Sequence, residues 1–386
     1  METGKQTHRN EAIDLLRGLV MVIMVLDHAR DFWGGFTPSP TDLEVTTTGL
    51  FFTRWVTHIC APVFVFLAGT SAYLYGSRRH LKQLSLFLLT RGLWLVLIEL
   101  TVIKYVWIPE PGYSIVLIQV LWILGWSMVV LAGLCFLGTT ALGLIGLTII
   151  LGHNLLDPFT PADFGSAGVL WTLLHEGGRV QVFDGVTWLV SYPLLPWIGV
   201  MALGYCFGAS QKLPLKRRRS LYMRLGVAMI VIFVGLRLSN TYGDPLQWST
   251  QASPVFTLLS FLNTDKYPPS LLFLLMTLGP ALCILAGFEG WSRNGRIRTG
   301  LLVFGRVPLF FYVLHLYLLR ITALPVSFAL YGAAAANPPP GPGGSAMLGL
   351  AAAYLAWVTA ILLLYPACRW FAKIKKTRRD WWLSYL

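Results

Sequence analysis

The chain has 386 residues, of which 55% are hydrophobic and only 12% charged. A soluble domain carries about 25% charged residues, and the mean hydropathy of +0.64 excludes that class. The net charge of +13 lies between apolar stretches, which is the positive-inside pattern of a membrane protein and excludes a nucleic-acid surface.

Windows of about 20 apolar residues predict an all-α, polytopic membrane bundle, read as one domain over residues 1–386. Ten spans are expected: 12–34, 52–76, 84–107, 114–137, 139–153, 187–208, 222–241, 269–288, 300–323 and 346–368. The residues before Leu15 are polar and do not read as a cleavable signal peptide. With the N-terminus inside, Lys5 and Arg9, the Arg78–Lys82 group, the Lys212–Arg224 cluster, Arg293 to Arg298 and the basic tail 369–386 all fall inside. Asp42, Glu44, Glu110, Asp157, Asp163, Glu176, Asp184, Asp244 and Asp265 fall outside. Both termini are therefore expected to be cytoplasmic. The fifth span is short, but merging it with the fourth would put Lys212 to Arg219 outside. The long outside connections 154–186 and 242–268 are expected to roof a site. The stretch 324–345, with AAAANPPPGPGG, reads as a flexible linker.

The first span, LLRGLVMVIMVLDHARDFW, carries ionisable groups that are costly in lipid and so mark a site or an internal pairing. Arg17 and His28 are eleven positions apart, close to three helical turns, so they share one face roughly 16 Å apart along the axis. Asp14 lies on that face too. Asp27 points about 100° from His28, which makes Asp31, at i+3, or a residue from another helix the better orienting partner. In the second span Arg54 and His58 are neighbours at i, i+4, followed by Pro62 and Gly69, which can break or tighten the helix. His28 and His58 are expected to meet in the outer half of the bundle. Arg91, Glu99, Arg237, Arg306, His315 and Arg320 add further intramembrane charge; Arg54, Arg91, Glu99 and Arg237 read equally well as ion pairs that fix packing. An imidazole titrating near pH 6.5 suits removal of a proton from an attacking hydroxyl or amine. No GxSxG, HExxH, Walker or GxGxxG pattern is present. Cys60, Cys135, Cys206, Cys283 and Cys368 form no CxxC pair and read as core residues, with no metal site implied.

Four blocks, RNEAIDLLRGLVMVIMVLDHARDFW, FFTRWVTHICAPVFVFLAGTSAYLYG, SYPLLPWIGVMALGYCFG and TDKYPPSLLFLLMTLGP, resemble bacterial relatives of the heparan-α-glucosaminide N-acetyltransferase catalytic-domain family, over about residues 9–320. The Arg17-x10-His28 spacing is also similar to the membrane acyltransferase-3 group. The resemblance implies transfer of an acetyl group from cytosolic acetyl-CoA to an amino-sugar or glycan amine or hydroxyl on the far side of a bacterial-type inner (plasma) membrane. The family's lysosomal enzyme has its working histidine in the loop after the first span; here that loop, GGFTPSPTDLEVTTTGL, has none, and His28 stands where that enzyme has Asn. The catalytic role is therefore expected at His28, helped by Asp27 and His58. Asp14, Arg17, Asp31, Arg54, Arg91 and Lys266 are expected to bind substrate, with Arg17 and Arg91 facing the CoA thioester. A homo-oligomer is left open. A permease for a small polar metabolite, using the same charged stripe as its path, is the alternative.

Overall fold

The computed structural model describes residues 11–35, 39–109, 112–292, 295–332, 348–378 and 380–385. The charges assigned to Lys5, Arg9, Glu110, Arg293 and Arg379 lie outside these residues, as does His8. So does 333–345, most of the expected linker.

The chain is mostly helical. It opens with α1 (Glu11–Ala29), which runs into one π-helical turn, Arg30–Gly34. Gly35, at φ 66°, ends that turn in the left-handed conformation that glycine adopts without strain. The Thr47 side chain caps α2 (Thr48–Thr57) by accepting from Leu50 N. The helix breaks at His58–Ile59 and resumes as α3 (Cys60–Gly76), with Pro62 in its first turn, where the missing N–H costs nothing. Then come α4 (Leu81–Ile98), a π-turn at Glu99–Ile103, α5 (Lys104–Trp107), strand β1 (Ile115–Ile118), α6 (Val120–Leu134), α7 (Gly138–Gly152) and α8 (Gly168–Trp171). Strands β2 (Gly178–Phe183) and β3 (Val186–Val190) precede α9 (Leu194–Phe207), α10 (Leu215–Ser239), α11 (Pro254–Leu262) and α12 (Leu271–Phe288). The remaining helices are α13 (Arg296–Arg306), α14 (Pro308–Tyr331) and α15 (Gly349–Thr377).

Among the described residues, eight stretches are long and apolar enough to cross a membrane: Thr48–Gly76, Leu81–Trp107, Val120–Leu156, Leu194–Lys212, Leu215–Ser239, Leu271–Phe288, Pro308–Leu330 and Gly349–Thr377. α1 is not one of them, because it carries Glu11, Asp14, Arg17 and Asp27. Val120–Leu156 holds two helices, α6 and α7, separated by a turn at Gly138 (φ 80°). Their neighbours give their directions. α6 runs antiparallel to α4: Gly92 and Gly125 face each other, and Ser85 Oγ donates to Ala132 O at 2.7 Å. α7 runs antiparallel to α9, with Gly143 near Cys206 and Gly199 near Ile149.

Glycines let these helices approach closely. A methyl added at Gly69 would overlap the Met201 carbonyl, one at Gly204 the Phe66 carbonyl, and one at Gly18 the Leu301 carbonyl. Contact between backbones replaces the hydrophobic driving force that lipid removes.

Three expectations need correction. The chain is mostly helical as expected, but it also carries a small mixed sheet that the apolar windows do not predict, with β1, β3 and β2 in that order, β1 parallel to β3 and β2 antiparallel to it. The β-branched runs IVLI and VTWLV pair across this sheet and do not extend the apolar helices that follow them. The ninth span is not one helix. Pro308 has no N–H to continue α13, so the chain turns at Val307 (φ −131°, ψ 49°) and restarts as α14. Residues 324–331, expected in a linker, belong to α14.

Candidate functional site

The site lies along α1, where two cavities are lined by residues of α1, α3, α6 and α14, joined by α4 at one end and α2 at the other. At the N-terminal end of α1, Asp14 and Arg17 pair at 3.0 Å, as their i, i+3 spacing requires. Arg17 also donates to Gly305 O at 3.1 Å and Ser71 Oγ at 3.0 Å. Arg298 and Arg306 of α13 both reach Glu11, the latter at 3.0 Å. Arg306, expected within a span, thus sits at the end of a short helix beside the start of α1. Here a cavity of about 330 Å³ opens, with apolar walls that include Met21, Leu88 and Leu95 and four cations on its lining: Arg17, Arg91, Arg306 and Lys375.

At the other end of α1, Asp27 is held by two guanidinium groups. Arg54 of α2 reaches both carboxylate oxygens, at 2.6 and 2.5 Å, and Arg30 pairs with it at 2.9 Å. A second, smaller cavity of about 40 Å³ is lined by Asp27, His28, Gln119, Tyr192, Lys266 and Tyr312, among others. Met24, Phe64, Val120 and Tyr312 line both cavities, so the two are neighbours across one wall.

The small sheet helps to place this second cavity. β1 delivers Gln119 to its wall. β3 delivers Tyr192, with Ser191 N bonded to Ile118 O at 3.1 Å. Glu99, fully buried, accepts from Gln119 N at 3.0 Å and Leu121 N at 3.1 Å, which fixes the start of α6. Lys266 comes from the 242–268 connection and is buried. Its ammonium lies 5.1 Å from the Tyr267 ring and 5.8 Å from the Tyr192 ring. Tyr267 Oη accepts from Arg54 Nη2 at 3.1 Å. Burial raises the Tyr267 phenol, but Lys266 and Arg54 beside it prevail and bring it down to about 8. Its partner Tyr192 is pushed well above the ordinary range, first by burial and then by Tyr267.

Arg237, which reads from sequence as intramembrane charge, is a structural pin. It donates to the carbonyls of Phe261, Leu246, Ser260 and Asn263, tying down the 242–268 connection. In that connection burial raises Asp244 to about 6, against hydrogen bonds from Ser270 and Asp265 N and the charge of Arg237.

His28 does not meet His58. The rings around it are Trp107 at 5.5 Å, Tyr312 at 6.5 Å and His315 at 5.1 Å. His58 packs on Phe273 of α12 at 5.4 Å and sits at the break between α2 and α3. Asp31, the expected orienting partner, stands 3.8 Å from His28 Nδ1, beyond hydrogen-bond reach, and is itself held by Arg30 at 2.6 Å. Gln119, Tyr192, Tyr267, Tyr312 and Trp107 were not singled out from sequence. Tyr192 and Tyr267 lie in the SYPLLPW and TDKYPPS blocks that carry the family resemblance, whereas nothing in the local pattern marks Gln119, Trp107 or Tyr312.

Among the described residues, no three His, Cys, Asp or Glu side chains stand close enough to hold a metal ion. The family model for "Heparan-alpha-glucosaminide N-acetyltransferase, catalytic" matches residues 9–237. The match includes α1, the α2–α3 pair and the helices that line both cavities up to α10, but not Lys266 or α14. No curated protein matches the chain.

Proposed function

This chain belongs to the heparan-alpha-glucosaminide N-acetyltransferase catalytic family, and from that premise we propose that it is an integral membrane acetyltransferase that works across the bilayer. Its donor is cytosolic acetyl-CoA, and its acceptor is an amino-sugar or glycan amine or hydroxyl on the opposite side. The observation that carries this reading is the pair of cavities along α1. The larger has Arg17, Arg91, Arg306 and Lys375 on its lining, cations suited to a CoA phosphate. The smaller has a histidine, a carboxylate and a lysine. One wall separates them.

In this reading ten spans cross the membrane, with α1 counted and α6 and α7 counted separately, and both termini are cytoplasmic. The thioester enters the larger cavity past Arg17 and Arg91, and its acetyl carbon reaches the wall shared with the smaller one. The acceptor amine or hydroxyl attacks that carbon, and His28 takes the acceptor proton as the bond forms. The C–S bond breaks, and the imidazolium returns the proton to the departing CoA sulfur. Lys266 binds the acceptor and donates to the carbonyl oxygen as negative charge develops there. Asp27, with Arg54 and Arg30, holds the C-terminal end of α1 so that His28 faces the cavity. Asp14 holds Arg17 in place by their ion pair. His58 supports the α2–α3 junction.

The test is a proteoliposome with labelled acetyl-CoA on one face and a glucosamine-terminated glycan on the other. Label on the glycan with free CoA released supports the reading; movement of an intact solute without CoA release would instead establish a carrier. His28→Ala is expected to lower turnover about 10²- to 10⁴-fold while the protein still folds.

A further inference from the structure

His315 has no part in the donor-to-acceptor path above, yet it is fully buried within 5.1 Å of the His28 ring, at an interplanar angle of 42°. Its Nδ1 lies 3.0 Å from the Phe311 carbonyl, one turn earlier on α14. A carbonyl can only accept, so Nδ1 carries the proton and Nε2 is a lone pair. That Nε2 is buried and has no hydrogen-bond partner among the described residues. His28 Nδ1 is in the same state, buried and without a partner, and Asp31 is too far away to serve it.

A buried polar group left unsatisfied is costly, and here two complementary ones stand on adjacent rings. We propose that His315 is a positioning residue for His28: a small rotation of the His28 ring, in its slot between Trp107 and Tyr312, brings His28 Nδ1–H onto His315 Nε2. The bond selects one tautomer. With the proton on Nδ1, His28 keeps its lone pair on Nε2 for the acceptor. The transferred proton goes onto His28 Nε2 and leaves from it, while His315 gains and loses none. A neutral acceptor does here what a carboxylate does in other histidine dyads, and it adds no buried charge.

The inference rests on the assignment of His28 as base, so two independent measurements are needed. In ¹⁵N-histidine-labelled protein in bilayers, with His28 assigned through His28→Ala, the His28 resonance should report the Nδ1–H tautomer. In His315→Phe it should shift toward Nε2–H. An Nε2–H tautomer in the wild type, or no change in the variant, overturns the proposal. The wild-type spectrum decides even if the variant does not fold. In the transfer assay, His315→Phe should lower kcat about 10- to 100-fold, the range that outer partners of a working histidine command, with the KM for acetyl-CoA unchanged. His315→Gln, whose side-chain carbonyl still accepts, should recover part of the loss. Full kcat in His315→Phe overturns the proposal. If the wild type transfers no acetyl group, the functional reading fails, while the spectrum still decides the histidine pair.

Discussion

Asp27 is the residue on which the C-terminal end of α1 turns, since one carboxylate satisfies both Arg54 and Arg30. Asp27→Asn leaves two guanidinium groups, each mostly buried, without their shared counter-charge. Breaking such a pair costs about 3 kcal/mol, so a clear fall in thermal unfolding temperature in detergent is expected, and a wild-type temperature would refute the account. Tyr267 gives a second residue-level test. An ordinary tyrosine titrates near 10, whereas this phenol sits at about 8. A depressed acid adds stability that is fully present above 10 and is lost as pH falls through 8. The tyrosinate absorbance should therefore show a step near pH 8 that is missing in Tyr267→Phe. At this scale the charged members of the site were legible, because a charge in an apolar run is conspicuous. Their partners were not. His28 and His315 lie on the first and the penultimate long helices, and local spacing cannot bring them together.

The helices themselves were read well from apolar windows, and the places where they failed to continue were read less well. The sheet is instructive. The pair Asp184-Gly185 between VQVF and VTWLV is a hairpin signal, and the structure has β2 and β3 joined by that two-residue loop, with Gly185 at φ 75°. The apolar run VTWLV that follows adjoins the helix-length stretch 187–208, so hydropathy alone does not separate strand from helix there. The α13–α14 break was marked by Pro308, whose missing N–H prevents continuation. Glycine sets the spacing between elements. A methyl at Gly305 would overlap the Asp14 carbonyl, so Gly305→Ala should push α13 off α1 at a cost of about 1–3 kcal/mol. The same variant should weaken acetyl-CoA binding, because Arg306 and Arg17 lie at that crossing. A thermal shift with and without acetyl-CoA checks both effects, and unchanged stability would refute the close-packing argument.

For the whole molecule, the ten-span reading predicts which single cysteines a membrane-impermeant thiol reagent can reach from each side, in a background without the five native cysteines. Cysteines placed at Arg79, Arg219 and Arg378 should react from one face, and those at Thr41 and Trp248 only from the other. Reaction of the 79 and 219 positions from opposite faces would show that α6 and α7 do not both cross. By itself the sequence determined the solvent class of the protein, most of the long apolar helices, the clustering of charge between them and the shared helix face of Arg17 and His28. These follow from transfer energies and helical periodicity, which act residue by residue. Only the tertiary structure decided that the stripe borders two adjoining cavities, that Asp27 is shared by two arginines, and that the ring beside His28 is His315 and not His58. Those outcomes depend on how distant helices cross, and that is set by backbone contact at glycines and by breaks at His58 and Pro308.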